Sequence, residues 1–390
     1  MPRRILVLNE RDPENPIAGG AEIHLFEIFS RLAERGYEVT LLCASFAGAA
    51  SEATVEGVRV KRLTNRYLYY AVAPLVARRM AGAGDVDVVV DTLNKLPFLS
   101  PWIVPAPCFT IVHHLFGATA FSQVSFPIAL VTWAAEKLIP AAYRRTMMLA
   151  ISPSTRDDLV ARGLPKNRIA VVPPGVDLAL YCERDATDGG NAGDLSHPLI
   201  AWIGRLEPYK RADTVIDAMA EVNRRHPEAR LVIVGAGGAR ADLEARVAAQ
   251  GLDGVVEFTG FVSEQRKVEI LQEAAVLAQT SEKEGWGMTV IEGNACGTPA
   301  VATRVPGLRD AVRESQSGLL VPYGDVGALA AAISKLLDDP LLHAQLVRGG
   351  REWAQRFCWD RVADDTATLI EATLAGATEL PPLVAGVFND

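Results

Sequence analysis

Val276-Leu-Ala-Gln279-Thr-Ser-Glu-Lys-Glu284-Gly-Trp-Gly-Met-Thr-Val-Ile-Glu292 decides how this chain is read. Its first four residues form a short apolar run, which reads as a buried strand. A polar loop broken by two glycines follows, and a short helix is expected to begin near Thr289. Glu284 and Glu292 lie eight positions apart, about 80° of rotation along one helix, so a single helix would not present both on one face. With Glu284 on the loop and Glu292 on the helix, both carboxylates converge on a small polar ligand at the helix N-terminus, where backbone N–H groups attract anions. A second reading competes for one of the acids. Thr289-x-x-Glu292 is a capping box, in which Glu292 satisfies orphan backbone donors.

The same strand–loop–helix unit recurs on both sides of this stretch. Residues 299–303 and Gly318–Val321 are apolar runs after it. Leu199–Ile203, Arg230–Val234 and residues 255–259 precede it, with helices expected over Ala212–Arg225 and 239–249. The N-terminal half repeats the pattern at residues 5–8, 39–43, 58–63, 86–90, Cys108–Val112 and 148–151, with a helix over 21–35 that Gly36 closes. Val171-Val-Pro-Pro-Gly-Val-Asp177 reads as a further strand ending in a turn. Continuously apolar strands alternating with helices predict parallel sheets covered on both faces. Between the halves, residues 183–197 are polar and rich in glycine and aspartate, as a linker is. The expectation is two doubly wound α/β domains joined near residues 180–197. Ligands of such sheets bind beyond the carboxyl ends of the strands, which puts the site in the cleft between the domains.

Composition agrees. A chain of 390 residues is long for one core, and 49% hydrophobic with 22% charged residues is ordinary for a globular enzyme. The net charge of -8 argues against a nucleic-acid partner. Cys43, Cys108, Cys182, Cys296 and Cys358 are scattered, which suits a reducing cytosol and neither a disulfide framework nor a zinc site. The apolar run behind the basic start is too short for a signal peptide, and no stretch approaches a transmembrane span. Residues 120–149 stand out. Phe121, Phe126, Trp133, Leu138 and Ile139 are followed by Tyr143-Arg144-Arg145. Such a segment suits a peripheral contact with a membrane surface or a greasy acceptor; the other reading is an ordinary buried helix.

Further clusters lie just past strand ends. Ala18-Gly19-Gly20-Ala-Glu22 is a turn opening a helix, and its glycines allow close backbone approach to a phosphate or sugar. Gly204-Arg205-Leu-Glu-Pro-Tyr-Lys210 presents a guanidinium and an ammonium, a pair suited to a diphosphate or simply a solvated loop. His113 and His114 follow residues 108–112; a histidine there orients or deprotonates a hydroxyl, and only one of the two can face the cleft. Gly235-Ala-Gly237-Gly238 looks like a dinucleotide fingerprint but lacks the third glycine at the right spacing. Asp85-Val-Asp87 precedes its strand, which favours a structural role over metal binding.

Taken in order, these residues resemble a retaining glycosyltransferase of family 4 (glycosyl transferases group 1) with the GT-B fold, over nearly the whole chain. Gly19-Gly20-Ala21-Glu22 is similar to the family's N-terminal glycine loop, and Ile151-Ser-Pro-Ser-Thr-Arg156 and Pro173-Pro-Gly-Val-Asp177 to segments near its domain junction. Gly204-Arg205 with Lys210 resembles the diphosphate-binding motif, and Phe258-Thr-Gly-Phe261-Val262 the loop near the nucleotide base. Glu284 to Glu292, followed by Ala295-Cys-Gly-Thr-Pro299, resembles the two-glutamate motif. Phe357-Cys-Trp-Asp-Arg361 opens what looks like the last helix, crossing back onto the first domain. Two departures stand out: His114 where relatives have an aspartate after the histidine, and Pro306-Gly307 where they often have a glycine pair.

The resemblance implies two Rossmann-like α/β domains facing across a cleft. An acceptor domain would span 1–182 with a returning helix at about 357–378, and a donor domain 198–356. It implies transfer of a hexose from a UDP- or GDP-sugar to a hydroxyl acceptor (a glycan, a lipid-linked glycan or a hydrophobic natural product) with retention, no metal and no cofactor. His113, Glu284, Arg205 and Lys210 would be catalytic. Gly19, Gly20, Phe261, Val262, Gly285, Trp286, Gly287, Met288, Thr289 and Glu292 would complete the donor site. The implied location is the cytoplasm or the inner face of the membrane. Its rivals are a non-hydrolysing nucleotide-sugar epimerase of the same architecture, a pyridoxal phosphate-dependent phosphorylase and a non-catalytic sugar-nucleotide-binding protein.

Overall fold

A computed structural model describes residues 2–117, 121, 125–182, 193–384 and 388. The expected linker lies largely outside the described residues, as do 120 and 122–124 of the apolar segment. The chain divides into two compact units, residues 1–175 with 359–390, and residues 176–358.

In the first unit the apolar runs become β1 (Arg4–Leu8), β2 (Glu38–Cys43), β3 (Glu52–Val55), β4 (Val58–Arg62), β5 (Val88–Leu93), β6 (Cys108–Val112), β7 (Met147–Ala150) and β8 (Ile169–Val171). They form one sheet in the order β3-β4-β2-β1-β5-β6-β7-β8, parallel except for the β3–β4 hairpin. Strand order reverses beside β1, which pairs with β2 on one side and β5 on the other. The helix Trp359–Leu374 belongs to this unit. It packs on the helix Gly20–Glu34, with Arg31 donating to Asp360 at 3.1 Å and Arg35 to Asp364 at 2.8 Å.

The second unit holds β9 (Leu199–Ile203), β10 (Arg230–Val234), β11 (Val256–Gly260), β12 (Val276–Gln279), β13 (Ala300–Thr303) and β14 (Gly318–Val321). All are parallel, in the order β11-β10-β9-β12-β13-β14, and here the order reverses between β9 and β12. Its core gathers Trp202, Val215, Met219, Ile233 and Leu336 from strands and covering helices. Both sheets are thus doubly wound, with a crevice beyond the carboxyl ends at the reversal.

The differences from expectation have physical causes. β5 starts two residues later and ends three residues later than the apolar run suggests, because Asp91 and Thr92 are buried strand residues. Tyr143 donates to Asp91 at 2.6 Å and Thr92 to the Leu8 carbonyl at 2.7 Å, so hydrogen bonds replace apolarity. β8 ends at Val171, where residues 171–177 were expected to form the strand. β3 was not anticipated, since its alternating polar residues leave it an exposed edge; Glu56 and Gly57, both at positive φ, turn the hairpin. The helix Arg66–Gly82 was also unforeseen; the Asn65 side chain caps it and Pro74 interrupts its pattern.

The glycine run after β10 is explained by packing. A Cβ on Gly235, at φ +132, would lie 1.9 Å from the Gly204 carbonyl oxygen, and one on Gly237 2.3 Å from that of Leu206. Two strand–helix loops press together here, and Gly238 beside them has open space. Gly235→Ala should therefore lower stability by about 3 kcal/mol, from overpacking and backbone strain together. Gly238→Ala should leave the urea unfolding midpoint within error of the parent.

Candidate functional site

The reversal point of the second sheet is built by polar side chains that lock two loops. After β9, Gly204-Arg205-Leu206 leads into the 3-10 turn Pro208–Lys210, and Arg211 adopts φ 56 before the helix Ala212–Arg225. That left-handed residue is held from two sides. Its guanidinium binds Asp213 at 2.9 Å, and Thr280 donates to its carbonyl at 2.7 Å. Thr280 in turn accepts from the buried Trp202 indole at 3.0 Å, so the core of the unit sets the loop. Glu282 N–H bonds the Tyr209 carbonyl at 2.8 Å, joining this loop to the one after β12.

On that second loop Glu284 is fixed from three directions. Lys210 Nζ reaches its Oε1 at 2.5 Å, Ser281 donates to the same oxygen at 2.7 Å, and its N–H bonds the Pro306 carbonyl at 3.1 Å. Gly307 packs so closely on Glu284 that a Cβ would lie 2.3 Å from the Glu284 carbonyl oxygen. The Pro306-Gly307 departure is thus a working close contact. Arg205 is exposed and donates to Tyr209 at 2.7 Å, and the Tyr209 ring centroid lies 5.5 Å from Lys210 Nζ.

The helix of the opening stretch is Met288–Ala295, with Gly287 before it at φ 109. The capping-box reading is corrected here. Thr289 lies inside the first turn, no side chain caps the helix, and Glu292 turns away to Lys267, whose Nζ lies 3.2 Å from Oε2. Burial raises the Glu292 pKa against the pull of Lys267. Burial alone would lower the Lys267 pKa, but Glu292 and Glu264 outweigh it and raise it. Lys267 also lies 5.1 Å from the Tyr181 ring centroid, and Tyr181 donates to Glu264. Sequence reasoning missed Lys267; Ser263 capping the helix Glu264–Glu273 was the available signal.

Phe261 follows β11 and is 88% exposed, with Val262 half-buried. Gly285, Gly287, Met288 and Thr289 line the loop and the first helical turn, all partly accessible. Trp286 is corrected to a core residue: its indole is 2% exposed and meets Phe357 edge-on at 5.2 Å.

In the first unit the N–H of Gly19 donates to the buried Glu22 carboxylate at 2.7 Å, tightening the glycine turn before the helix that begins at Gly20. His113, at the end of β6, is 3% exposed and meets His24 of that helix, Nε2 to Nδ1 at 3.1 Å. Burial holds the His24 pKa at about 3, and burial with His24 and His114 nearby keeps His113 well below its ordinary value. Burial disfavours the charged imidazole, which suits His113 to orienting a hydroxyl more than to holding its proton. His114 is half-buried against Phe116. Beyond β1 and β5, Glu10 accepts from Lys95 and from Tyr70, each at 2.8 Å, a polar cluster that the spacing did not reveal.

Comparison with known proteins identifies this arrangement. Residues 18–180 match the model of Glycosyltransferase Family 4, and residues 185–353 that of Glycosyl transferases group 1. The chain is a family 4 glycosyltransferase. It is 38% identical to the D-inositol 3-phosphate glycosyltransferase of Acidothermus cellulolyticus, covering 92% of this chain and 86% of that protein. The Salinispora tropica protein of the same name is 28% identical over 94% of this chain and 84% of its own. Among solved structures, sucrose-phosphate synthase from Thermosynechococcus elongatus superposes with a TM-score of 0.80 at 22% identity, covering 96% of this chain and all of that one. Anabaena HepE in complex with UDP-glucose gives 0.73 at 22% identity, covering 95% of this chain and 99% of its own. The fold of this glycosyltransferase is GT-B, with two Rossmann-like sheets.

The neutral histidine pair makes a pH prediction. In the unfolded glycosyltransferase both imidazoles protonate near the ordinary value of about 6.5, whereas folded His24 resists to about 3. Their contribution to stability is present above that unfolded pKa and is lost as pH falls below it. Asp91, raised by burial to about 6, acts oppositely: its contribution is present at low pH and lost as pH rises through about 6. The urea midpoint of His24→Gln should accordingly fall less steeply below about pH 6.5 than that of the parent, and the parent imidazole resonances of His24 and His113 should stay flat between about pH 7.5 and 5.

Proposed function

We propose that this glycosyltransferase moves a hexose from a UDP- or GDP-sugar to a hydroxyl acceptor, with retention at the anomeric carbon and without a metal ion. The observation that carries the reading is the Lys210–Glu284 pair at the strand-order reversal of the second sheet, with Arg205 joined to it through Tyr209 and Glu292 on the helix that follows. A nucleotide-sugar donor is also supported by HepE, solved with UDP and with UDP-glucose.

Arg205 engages the diphosphate through its planar fork and Lys210 as a point charge, so that two fixed cations take up the charge that develops on the leaving group. Glu284 accepts hydrogen bonds from hydroxyls of the transferred sugar. Glu292 accepts them from the ribose, and Lys267 favours its ionised form in a buried setting that disfavours it. Phe261 and Val262 face the base, the first offering an aromatic surface, while Gly285, Gly287, Met288 and Thr289 present backbone to the sugar and phosphates. Gly19 and Gly20 leave the backbone of their own turn open to close approach by a phosphate or sugar. Attack proceeds on the front face, and the leaving phosphate itself draws the proton from the acceptor hydroxyl. A neutral His113 suits that route, since it orients and does not deprotonate. The first sheet takes the acceptor: a glycan, a lipid-linked glycan, a hydrophobic natural product or, by the names of the relatives, an inositol phosphate. A nucleotide-sugar donor implies the cytoplasm, and an acceptor carried on lipid would put the enzyme at the inner face of the membrane.

Glu284→Gln and Arg205→Ala should each reduce kcat on the order of a hundredfold or more, read as nucleotide released with acceptor present. Unchanged turnover in either variant sinks the assignment. Conversion of donor without acceptor would mark an epimerase instead. Thermal-shift titration with UDP, GDP, ADP and TDP should single out one nucleotide, stabilising by about 2.7 kcal/mol at a hundredfold excess over its Kd. EDTA should leave the rate unchanged.

A further inference from the structure

The helix Phe126–Glu136 is built inside out. Its sequence, Phe-Pro-Ile-Ala-Leu-Val-Thr-Trp-Ala-Ala-Glu136, carries no charge before its last residue. A helix that is apolar all round is ordinarily buried. This one buries only Ala129, Thr132 and Glu136, a stripe of small and polar side chains at helical spacing. Phe126 is 68% exposed and Val131 58%, and Ile128, Leu130, Trp133 and the following Leu138 are exposed with them. What ties the helix to its unit is polar. The buried Glu136 carboxylate accepts from the N–H groups of Phe116 and Gly117 at 2.7 and 2.8 Å and from Arg162 at 3.0 Å.

The charges that flank the helix in the sequence are nearly all basic; the nearby acid Asp158 is neutralised by Arg162 at 3.0 Å. Between Asp91 and Asp157 the sequence carries Lys95, Lys137, Arg144, Arg145 and Arg156 but a single acid, Glu136, and that one is buried, in a chain whose net charge is -8. Lys137 is exposed and lies 4.9 Å from the Trp133 ring centroid. Arg144 and Arg145 are exposed just past the short helix Ile139–Tyr143. Eleven residues make a helix about 16 Å long, too short to span a hydrocarbon core of about 30 Å. No helix among the described residues is long and apolar enough to cross a membrane. About 16 Å by 10 Å is also far less than the roughly 800 Å² per partner that a stable protein interface needs. An apolar helix with an aromatic–lysine pair and flanking arginines is matched by the boundary between acyl chains and anionic headgroups.

We propose that the helix Phe126–Glu136 seats in the interfacial layer of an anionic bilayer, with Lys137, Arg144 and Arg145 on the headgroups, and that the acceptor is drawn from that surface. The docking stands on the helix alone; the choice of acceptor rests on the glycosyl-transfer reading. Co-sedimentation with phosphatidylglycerol-rich vesicles tests it, with pure phosphatidylcholine vesicles as the comparison. The full-length protein should partition at least tenfold more strongly onto the anionic vesicles, and brominated acyl chains should quench a tryptophan signal that Trp133→Phe removes. Ile128→Asp with Val131→Asp should abolish binding to both vesicles, and Arg144→Glu with Arg145→Glu should remove the preference for anionic ones. Both pairs of positions are exposed, so unchanged circular dichroism and unchanged nucleotide affinity are expected. Absence of binding to anionic vesicles overturns the proposal. So does a dimer in sedimentation velocity that the aspartate pair dissolves, because the face would then belong to a second copy. Loss of vesicle binding with intact nucleotide release on a water-soluble acceptor leaves the transferase reading standing, and intact binding with no transfer to any acceptor does the reverse.

Discussion

A parallel sheet covered by helices on both faces leaves a polar side chain few places to go. Along the strands it must be apolar or fully hydrogen-bonded, as Asp91 and Thr92 are. Past the carboxyl ends the chain escapes that constraint, and polar residues collect there. In the second unit they collect where the strand order reverses, and Lys210 and Glu284 bridge the loops after β9 and β12 there. The position of the candidate site follows from how strands are buried more than from any one motif.

That constraint also explains what could be read from sequence. Apolar runs placed nearly all the strands, because a doubly covered strand advertises itself as an unbroken stretch of Val, Ile, Leu and Ala. The misreadings fall where another force replaces apolarity. Hydrogen bonds carry the end of β5, and β3 is exposed. Thr289 and Glu292 have capping-box spacing, yet the loop geometry starts the helix at Met288 and sends Glu292 to Lys267. Lys267 lies twenty-five positions from Glu292, and only the packing of two helices brings them together. His24 and His113 are separated still further, and nothing in either local sequence announces a buried pair. Local chemistry was legible; partnership across the sheet was not.

Trp286 illustrates the same limit from the other side. It sits between the glycines of the most informative stretch, where an aromatic residue invites a reading as a ligand contact. Its indole instead packs edge-on against Phe357 in the core. Its burial ties the loop to the core two residues after Glu284. Core and site meet within a single tripeptide.

The close approach at Gly235 ties two loops together. The atom that forbids a side chain there is the carbonyl oxygen of Gly204, one residue before Arg205. Any substitution at 235 must move that carbonyl and so re-aim the guanidinium behind it. The loops after β9 and β10 therefore share one degree of freedom, and a side chain at 235 calls for a compensating change in the loop that carries Gly204.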